Sequence, residues 1–210
     1  MYQNIATKVL TGKVRLSYAH LIEAHASVAG AEPKYSVTLL IPKTDTATKA
    51  DIDSAIQAAI EAGKQGAWKG VVPPQVHTPI YDGDGVRPSG VPFGDECKGC
   101  WVITANSKQK PQVVDISNIN VELAPYDIYS GMYARVTLNF FAYANSGNKG
   151  IGCGLGNVLK VADGEPLSGR SSAASDFAGL APESDQIPHS PQPAAPQSYI
   201  DPITGVSYII

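Results

Sequence analysis

The stretch from Tyr133 to Tyr143 carries the side chains with the clearest potential for chemistry, because two kinds of residue alternate along it. Its even positions are apolar, namely Ala134, Val136, Leu138, Phe140 and Ala142, whereas its odd positions are Tyr133, Arg135, Thr137, Asn139, Phe141 and Tyr143. Side chains alternate between the two faces of a strand, so the pattern predicts one long β-strand with one buried face. Aromatic rings can stack on nucleobases, and a guanidinium can neutralise a phosphate. The odd face therefore predicts a nucleic-acid-binding surface.

The odd face also has an ordinary structural interpretation. Aromatic residues in strands usually pack in the core, and the one clear amphipathic helix of the sequence could cover Tyr133, Phe141 and Tyr143. Arg135 and Asn139 favour an exposed face, because both side chains are costly to bury without polar partners. The periodicity alone leaves both interpretations open.

Several cationic side chains lie on strands or turns that can border the same face. Each one is typical of a solvated charge, but together they can form the electrostatic groove that follows a phosphate backbone. Trp101 is a further candidate for stacking, although Ile103 and Ala105 share its face of a predicted strand and favour a core position. The predicted site comprises Lys13, Arg15, Trp101, Lys108, Lys110, Tyr133, Arg135, Asn139, Phe141, Tyr143 and Lys149.

Three cysteines raise the alternative of a metal or redox site. Cys97 and Cys100 form a Cys-x-x-Cys motif that could bind zinc with Cys153 or His77, but a second ligand pair at the usual spacing is missing. The motif precedes a predicted strand rather than a helix, which disfavours a thioredoxin-like redox role. We expect reduced thiols, no metal and no cofactor, and the sequence leaves zinc binding by the three cysteines open.

The segment from Gly150 to Gly156 has glycine at every second position. It does not match a phosphate-binding loop, because no Lys-Ser or Lys-Thr follows and no helix is predicted after it. Alternate glycines instead leave one face of a strand bare, which suits a bend or a close approach of backbone. The histidines His20, His25, His77 and His189 lie near no nucleophile motif. We find no catalytic constellation and expect a protein that is not an enzyme.

A mainly β fold must position these residues. Alternation and turn signals predict strands at Thr7–Tyr18, Lys34–Ile41, Cys100–Ser107, Tyr133–Tyr143 and Ile151–Val161, with Gln112–Asp115 as the return strand of a hairpin. A loop is expected from His20 to Pro33. This order of strands, with one helix between the early and the late ones, predicts a small OB-fold-like barrel of five or more strands.

The helix is predicted at about Thr46–Gln65, where Asp45 and its neighbours supply N-cap chemistry. Its apolar stripe consists of Ile52, Ala55, Ile56, Ala59 and Ile60. The segment from Ala67 to Gly99 is dense in Gly and Pro and is predicted to be mainly loop. A connection of this length inside a compact domain is usually functional or mobile.

The composition changes abruptly after Gly169. All 16 Lys and Arg residues and all but four of the 19 acidic residues lie at or before Arg170, whereas residues 171–210 contain six prolines and no basic residue. Such a segment cannot bury enough surface to offset its ordering entropy. We predict a folded domain at residues 1–170 and a Pro-rich, mildly acidic, disordered tail at residues 171–210.

The sequence shows neither a membrane-spanning segment nor a secretory signal. The sequence contains no run of about 18 apolar residues that could span a membrane, and its first residues lack the basic start and apolar run of a secretory signal. We therefore expect a cytoplasmic protein without a membrane span. The body of the chain is nearly neutral, which by itself neither requires nor excludes a nucleic-acid partner.

Several separated blocks of the sequence resemble, in the same order, those of a family of tailed-phage single-stranded DNA-binding proteins. The blocks are TKVLTGKVRLSYAHL, EPKYSVTLLIPK, GCWVITANSKQKPQVVD, IYSGMYARVTLNFFAYANSGNKGIGCGLGNV and DGEPLSGRSSAASDF, spanning about Ile5 to Phe177. The family has an OB fold that is distantly similar to the podophage replication single-strand binder. The resemblance implies a non-catalytic protein that coats single-stranded DNA in the host cell cytoplasm during phage replication and recombination.

The resemblance also bears on partners. Related binders often end in a strongly acidic tail that recruits replication proteins and competes for the DNA groove, whereas this tail contains only Asp176, Glu183, Asp185 and Asp201. We therefore expect replication or recombination proteins to bind the tail, with less support than in relatives that have a strongly acidic tail. Whether the protein forms a homo-oligomer is left open. The alternative function is that of a virion structural or assembly protein without a nucleic-acid role, in which the barrel is a scaffold and the tail a tether.

Overall fold

The computed structural model describes residues 5–26, 28–145 and 148–167, together with two short strands at residues 198–200 and 207–209. The chain divides into two compact units, Met1–Ser172 and Ala173–Ile210. Each unit is described separately below. The predicted division at residue 170 stays a prediction.

The described residues of the first unit form nine strands, one α-helix and two short 3₁₀-helices. The strands are β1 (Lys8–Leu10), β2 (Val14–His25), β3 (Lys34–Pro42), β4 (Ile80–Asp82), β5 (Cys100–Ser107), β6 (Val113–Asp115), β7 (Asn118–Glu122), β8 (Tyr133–Asn145) and β9 (Asn148–Ala162). The helix α1 spans Thr46–Gln65, and the 3₁₀-helices span Asp95–Cys97 and Pro125–Asp127.

Five of these strands close into a ring. The hydrogen-bonded path runs β8-β2-β3-β5-β9, and β9 pairs again with β8 along most of its length. All of these pairings are antiparallel except that of β5 with β9, which are parallel and meet at Asn106 and Gly154. A closed five-stranded ring with one helix confirms the prediction of a mainly β, OB-fold-like barrel.

Strand β8 has the alternation that its sequence predicts. Ala134, Val136, Leu138 and Phe140 are buried in the main hydrophobic core, and the intervening side chains point away from it. Burial of this apolar row stabilises the barrel by about 25 cal/mol for each Å² removed from water. The even positions of β8 therefore build the core, and the odd positions are left for the outside.

Helix α1 begins and ends where the sequence predicts. The Asp45 side chain accepts a hydrogen bond from the Thr48 backbone amide at 3.0 Å, which satisfies one of the free amides at the helix start. Ile52, Ala55, Ile56 and Ala59 are buried in the same core as the even row of β8. The helix thus packs on the core side, and it leaves Phe141 on the outer side 45% exposed.

The predicted loop from His20 to Pro33 is wrong in its first part, because β2 continues to His25. The pairing of β2 with β3 shifts register between Ser17 and His20 and again before His25. Tyr18 lies in the first irregularity with a φ of 47°, and its side chain is 59% exposed. A bulge changes the face that later residues present, so Tyr18 is exposed although simple alternation would place it on the same face as the buried Leu16.

The predicted hairpin between Cys100–Ser107 and Gln112–Asp115 is wrong as well. Strand β6 pairs with β9 in parallel and with β7 in antiparallel orientation, and no pairing of β6 with β5 occurs among the described residues. Strand β4 is a short strand within the segment that was predicted to be mainly loop, and β7 lies in a segment for which no strand was predicted. Their side chains are mostly exposed, so neither has the apolar alternation that identifies a strand from sequence.

The second unit contains strands β10 (Ser198–Ile200) and β11 (Ser207–Ile209), which pair antiparallel with Tyr199 opposite Tyr208. The rest of the predicted tail lies outside the described residues, and its disorder stays a prediction. In the described part of the chain, no helix is long and apolar enough to cross a membrane.

Candidate nucleic-acid interface

The outer side of the β8–β9 pair is the centre of the candidate interface. The alternate glycines of β9 lie directly opposite the odd residues of β8, with Gly150 opposite Tyr143, Gly152 opposite Phe141 and Gly154 opposite Asn139. A β-carbon placed on Gly152 would lie 2.6 Å from the Phe141 ring. The ring therefore lies over Gly152 and uses the space that the missing side chain leaves. The predicted close approach of backbone occurs instead at Gly150, where a β-carbon would lie 2.8 Å from the His77 carbonyl oxygen.

A polar groove of about 360 Å³ continues from this surface and is lined by residues of four strands. Its walls are Asn106 and Ser107 of β5, Thr137 and Asn139 of β8, Gly154, Gly156 and Asn157 of β9, and Lys8 of β1. The Thr7 hydroxyl donates a hydrogen bond to the Asn139 side-chain oxygen at 3.1 Å, which fixes the amide in the groove. Amides and hydroxyls both donate and accept hydrogen bonds, so the groove can bind phosphates, sugars or base edges.

Three cations lie around the other end of β8. Arg135 is exposed, and its Nε donates to the Thr11 carbonyl at 3.0 Å. The Lys13 ammonium lies 4.6 Å from the centroid of the Tyr133 ring. Among the described residues, no carboxylate forms an ion pair with Lys13, Arg15 or Arg135. Their positive charge is therefore not neutralised locally.

Arg15 is held more tightly than the other two. Its guanidinium donates to the backbone carbonyls of Glu165 at 2.7 Å and Gly131 at 3.4 Å. The hydrogen bond to Glu165, in the segment after β9, thus uses one of the donor groups of the Arg15 guanidinium. We expect Arg15 to act on phosphate through its charge more than through a two-pronged hydrogen bond.

Four other residues of the predicted site do not line this groove. The Lys108 ammonium forms an ion pair with Glu32 at 2.7 Å, and this hydrogen bond lowers the pKa of the Glu32 carboxyl. Lys110 is exposed in the turn after β5. Lys149 lies opposite Ala144 and shares its side of β9 with the buried Ile151. Their role in binding stays a prediction.

Trp101 is the fourth of these residues, and it lies on the core side of β5. Its ring is half-buried against the main core, with the ammonium groups of Lys43 and Lys49 at 5.1 and 4.8 Å from the ring. Cation–π contacts of this kind stabilise the packing of α1 and β3 against β5. The position favours the core interpretation that Ile103 and Ala105 indicated.

Asn139 is the one groove wall named above that belongs to the predicted site, and Asn106 and Asn157 are among the polar residues that were not predicted. Asn106 points outward two positions after Thr104, and Asn157 accepts a hydrogen bond from the Gln112 amide at 3.4 Å. Asn106 could have been found from the alternation of Cys100–Ser107, in which it falls on the face opposite Ala105. No sequence signal points to Asn157, because its place depends on how β9 pairs with β8.

The cysteines lie apart from the groove. Burial raises the pKa of the Cys97, Cys100 and Cys153 thiols above their ordinary value. Within the described ranges, no three His, Cys, Asp or Glu side chains converge as a metal site would require. The Asp82 and Asp84 carboxylates instead hold the Lys43 ammonium at 2.6 and 2.7 Å.

Comparison with known proteins identifies the family. The model of the single-stranded DNA-binding protein of Enterobacter phage Enc34 matches residues 7–187. The chain belongs to the Enc34 family. The resemblance stated from the sequence blocks is therefore confirmed, and the family match covers the whole β8–β9 surface.

Solved structures and a curated relative agree with the Enc34 family. The Enc34 protein in complex with single-stranded DNA is 34% identical, with a TM-score of 0.64, and the match covers 77% of this chain and 89% of that one. The bacteriophage T7 protein gp2.5, a single-stranded DNA-binding protein, is 16% identical with a TM-score of 0.53, and the match covers 84% of this chain and 96% of gp2.5. Its likeness concerns the fold alone. A putative protein p50 of Acyrthosiphon pisum secondary endosymbiont phage 1 is 26% identical over 165 residues, which are 77% of this chain and 87% of p50.

Proposed function

We propose that this protein binds single-stranded DNA without sequence preference during phage DNA replication and recombination in the host cell cytoplasm. The observation that carries the proposal is the outer row of β8, in which Asn139 and Phe141 lie opposite Gly154 and Gly152 of β9 and Arg135 lies further along the same strand. Family membership and the DNA complex of the Enc34 relative support it.

One end of this row can stack on bases, and the other end can contact phosphates. Phe141 presents an exposed ring, and stacking of a base on such a ring contributes about 1 to 3 kcal/mol. Arg135 and Lys13 supply charge to the phosphates, and the release of counterions from DNA drives that part of the binding. Every base has a flat face and every nucleotide a phosphate, so this mode of binding tolerates any sequence.

The polar groove adds positioning to this binding. Its walls contain no acidic side chain among the described residues, so a phosphate entering it meets amides and hydroxyls rather than repulsion. Hydrogen bonds of this kind fix the register of a strand and carry little sequence information when they go to phosphate or sugar. The binding role requires no bond to be made or broken, and we propose a non-enzymatic protein.

We also propose that the protein binds other proteins and further copies of itself. The tail at residues 171–210 is proposed to contact replication or recombination proteins, and self-association along DNA would let the protein coat a strand. The alternative role as a virion structural protein has no observation in its favour, because it explains neither the exposed ring over Gly152 nor the family match.

The test is a fluorescence anisotropy titration of a labelled oligo(dT) at several salt concentrations. We expect binding at low salt, with the logarithm of the association constant falling linearly with the logarithm of salt concentration. Oligonucleotides of mixed sequence should bind within a few fold of oligo(dT). Absence of binding to any unstructured oligonucleotide at low salt would refute the proposed function.

A further inference from the structure

The segment from β6 to the second 3₁₀-helix exposes four large apolar side chains. They are Ile116, Ile119, Val121 and Tyr126, which are 59%, 63%, 59% and 84% exposed. A single exposed apolar side chain is ordinary, but four of them in one short segment form a patch, and such patches mark contacts with other proteins. These four residues are called the β7 patch below.

Tyr126 projects into solvent from a turn that is firmly anchored. It lies in the second 3₁₀-helix, where the Asp127 amide donates to the Ala124 carbonyl at 3.0 Å. On either side of this turn, Leu123 and Ile128 pack against the main core. The backbone that carries the ring is therefore fixed before any partner binds, which lowers the entropy cost of forming an interface.

The charge of this segment disfavours DNA as its partner. Residues 112–128 contain Asp115, Glu122 and Asp127 and no lysine or arginine. Among the described residues, none of these three carboxylates forms an ion pair. The carboxylates repel phosphates, so the β7 patch fits an apolar protein surface instead.

A groove of about 300 Å³ between α1 and β8 provides such a surface. Ala62 and Gly63 of α1, Ala67 of the turn after it, and Phe141 and Ala142 of β8 are among the residues that line it, and none of its lining residues is charged. A β-carbon on Gly63 would overlap the Ala142 side chain, so helix and strand touch and close the floor. This α1 groove has small side chains on one side and the Phe141 ring on the other, which suits the insertion of one aromatic ring.

The charges beside the two surfaces are complementary. In the last turns of α1, Glu61 and Lys64 balance each other in charge. Lys69, two residues after the groove, is exposed and forms no ion pair within the described part of the chain. The α1 groove thus has a positive neighbourhood and the β7 patch a negative one, and opposite charges of this kind orient two surfaces toward each other.

The β7 patch and the α1 groove lie at opposite ends of β8. Lys160 of β9 lies opposite Ala134, and its ammonium donates to the Asp127 carbonyl at 3.1 Å. This contact places Tyr126 near the Ala134 end of β8. The α1 groove lies at Phe141, and the seven residues between these two positions of the strand span about 23 Å. Tyr126 therefore cannot enter the groove of its own chain.

The row proposed to contact DNA, from Arg135 to Phe141, lies between the two surfaces. A single strand of DNA has a direction, so copies that bind along it in one orientation all face the same way. Neighbouring copies then meet through two different surfaces, one at each end of the molecule. The β7 patch and the α1 groove have the positions that such a contact requires.

Pairing of β7 with a strand of another copy is disfavoured as the mode of contact. Among the described residues, β7 pairs only with β6, and that pairing shifts register between Val114 and Asp115. The Asn120 amide already donates to the Asn118 side-chain oxygen at 3.2 Å. An irregular edge whose amide is occupied is a poor template for a further strand, so side chains must carry the contact.

We propose that Tyr126 of one copy enters the α1 groove of the next copy along a bound strand of DNA, so that copies associate head to tail. The proposal rests on the proposed function and names the two surfaces through which the protein would associate with itself. Because Phe141 is a wall of the α1 groove, the contact between copies forms directly beside the bound DNA.

The experiment compares a short oligo(dT) that holds one copy with a long oligo(dT) that holds several, since one OB fold occupies about 4 to 16 nucleotides. Affinities per copy are measured for the full-length wild type, Tyr126→Ala and Ala62→Trp. Val28→Ala is the control for loss of an exposed apolar side chain. Gln57→Trp is the control for the new ring, because Gln57 is exposed on α1 but does not line the groove. Circular dichroism checks that each variant is folded.

We expect the wild type to bind the long strand about tenfold more tightly per copy than the short one, and both control variants to do the same. Tyr126→Ala and Ala62→Trp should each lose this gain, because an aromatic residue at the centre of an interface commonly carries much of its binding energy. All variants should bind the short strand as the wild type does. If Tyr126→Ala does not fold, Ala62→Trp tests the same contact from the other side.

A mixture of the two variants tests whether the two surfaces touch each other. Tyr126→Ala keeps an intact groove and Ala62→Trp keeps an intact Tyr126, so one copy of each can still form one contact. On a strand that holds two copies, native mass spectrometry should therefore show the mixed pair above its statistical share. Absence of this enrichment would overturn the inference, as would a stable dimer of the wild type without DNA that Tyr126→Ala dissociates.

Failure of this inference is distinguishable from failure of the proposed function. If the wild type binds neither strand, the proposed function is wrong. If the wild type binds both strands equally per copy, or if Tyr126→Ala keeps the full gain on the long strand, copies do not meet through these surfaces. Weaker binding of the short strand by folded Tyr126→Ala would show a DNA contact at Tyr126 and would also overturn the inference.

Discussion

The Phe141 ring lies over Gly152 on the neighbouring strand, where a β-carbon would come within 2.6 Å of it. The glycine and the ring form one unit, in which the missing side chain of one residue sets the position of the other. A substitution at Gly152 can therefore change the position of the Phe141 ring without any change to Phe141 itself.

Gly152→Ala should displace the Phe141 ring and weaken binding of oligo(dT) about five- to tenfold, because part of the stacking energy is lost. The thermal midpoint should change little, since the ring can move outward and alanine is less costly than glycine in a strand. The control is the same substitution in a Phe141→Ala background, where Gly152→Ala has no ring to displace and should not weaken binding further. A full additional loss of affinity in that background would contradict the predicted role of the ring.

Arg135→Ala should lower the affinity for oligo(dT) and reduce the slope of its salt dependence by about one, because one phosphate contact is removed. Titrations at four or more salt concentrations give the slope. Lys64→Ala changes a cation in the last turn of α1 and should leave the slope unchanged. An unchanged slope for Arg135→Ala would place this arginine outside the DNA contact.

Trp101→Ala should reduce stability and leave DNA affinity unchanged. The ring is half-buried between Lys43, Lys49 and the core, so we expect a loss of about 1 to 3 kcal/mol in the free energy of unfolding, less than for a fully buried tryptophan. Urea denaturation measures this loss. Phe141→Ala should instead weaken DNA binding and change stability little. Weakened DNA binding by folded Trp101→Ala would show that Trp101 belongs to the DNA-binding site.

The three cysteines should react slowly with iodoacetamide in the native protein. Burial raises the pKa of each thiol, so the fraction of reactive thiolate at pH 8 is smaller than in the unfolded chain. We expect native alkylation to be more than about tenfold slower than alkylation in urea. Rapid native reaction at Cys97 or Cys100 would instead support a redox or metal role.

Removal of residues 171–210 should leave the affinity for oligo(dT) unchanged or increase it. The deleted segment contains four carboxylates and no cation, so its removal reduces competition with phosphate. Anisotropy titrations of the full and truncated chains under identical salt conditions measure the difference. Weaker binding by the folded, truncated protein would show that the tail contributes to DNA contact.

Local signals in the sequence were sufficient for several elements. The limits of α1 follow from a capping aspartate, one apolar stripe and a terminal glycine, all between Asp45 and Gly66. The burial pattern of β8 follows from its alternation, because a strand presents successive side chains to opposite faces whatever its partners are. The OB-like barrel and the family followed from the order of such elements and from the resemblance of the sequence blocks.

Tertiary structure alone decided how the strands meet. The register of β8 against β9 places Phe141 over Gly152, and the parallel pairing of β5 with β9 at Asn106 and Gly154 brings Asn106 and Asn157 to one groove. The bulge at Tyr18 turns this ring outward. These contacts join residues far apart in the chain, and their free energies depend on the packing of the whole barrel, so no local pattern of residue types determines them.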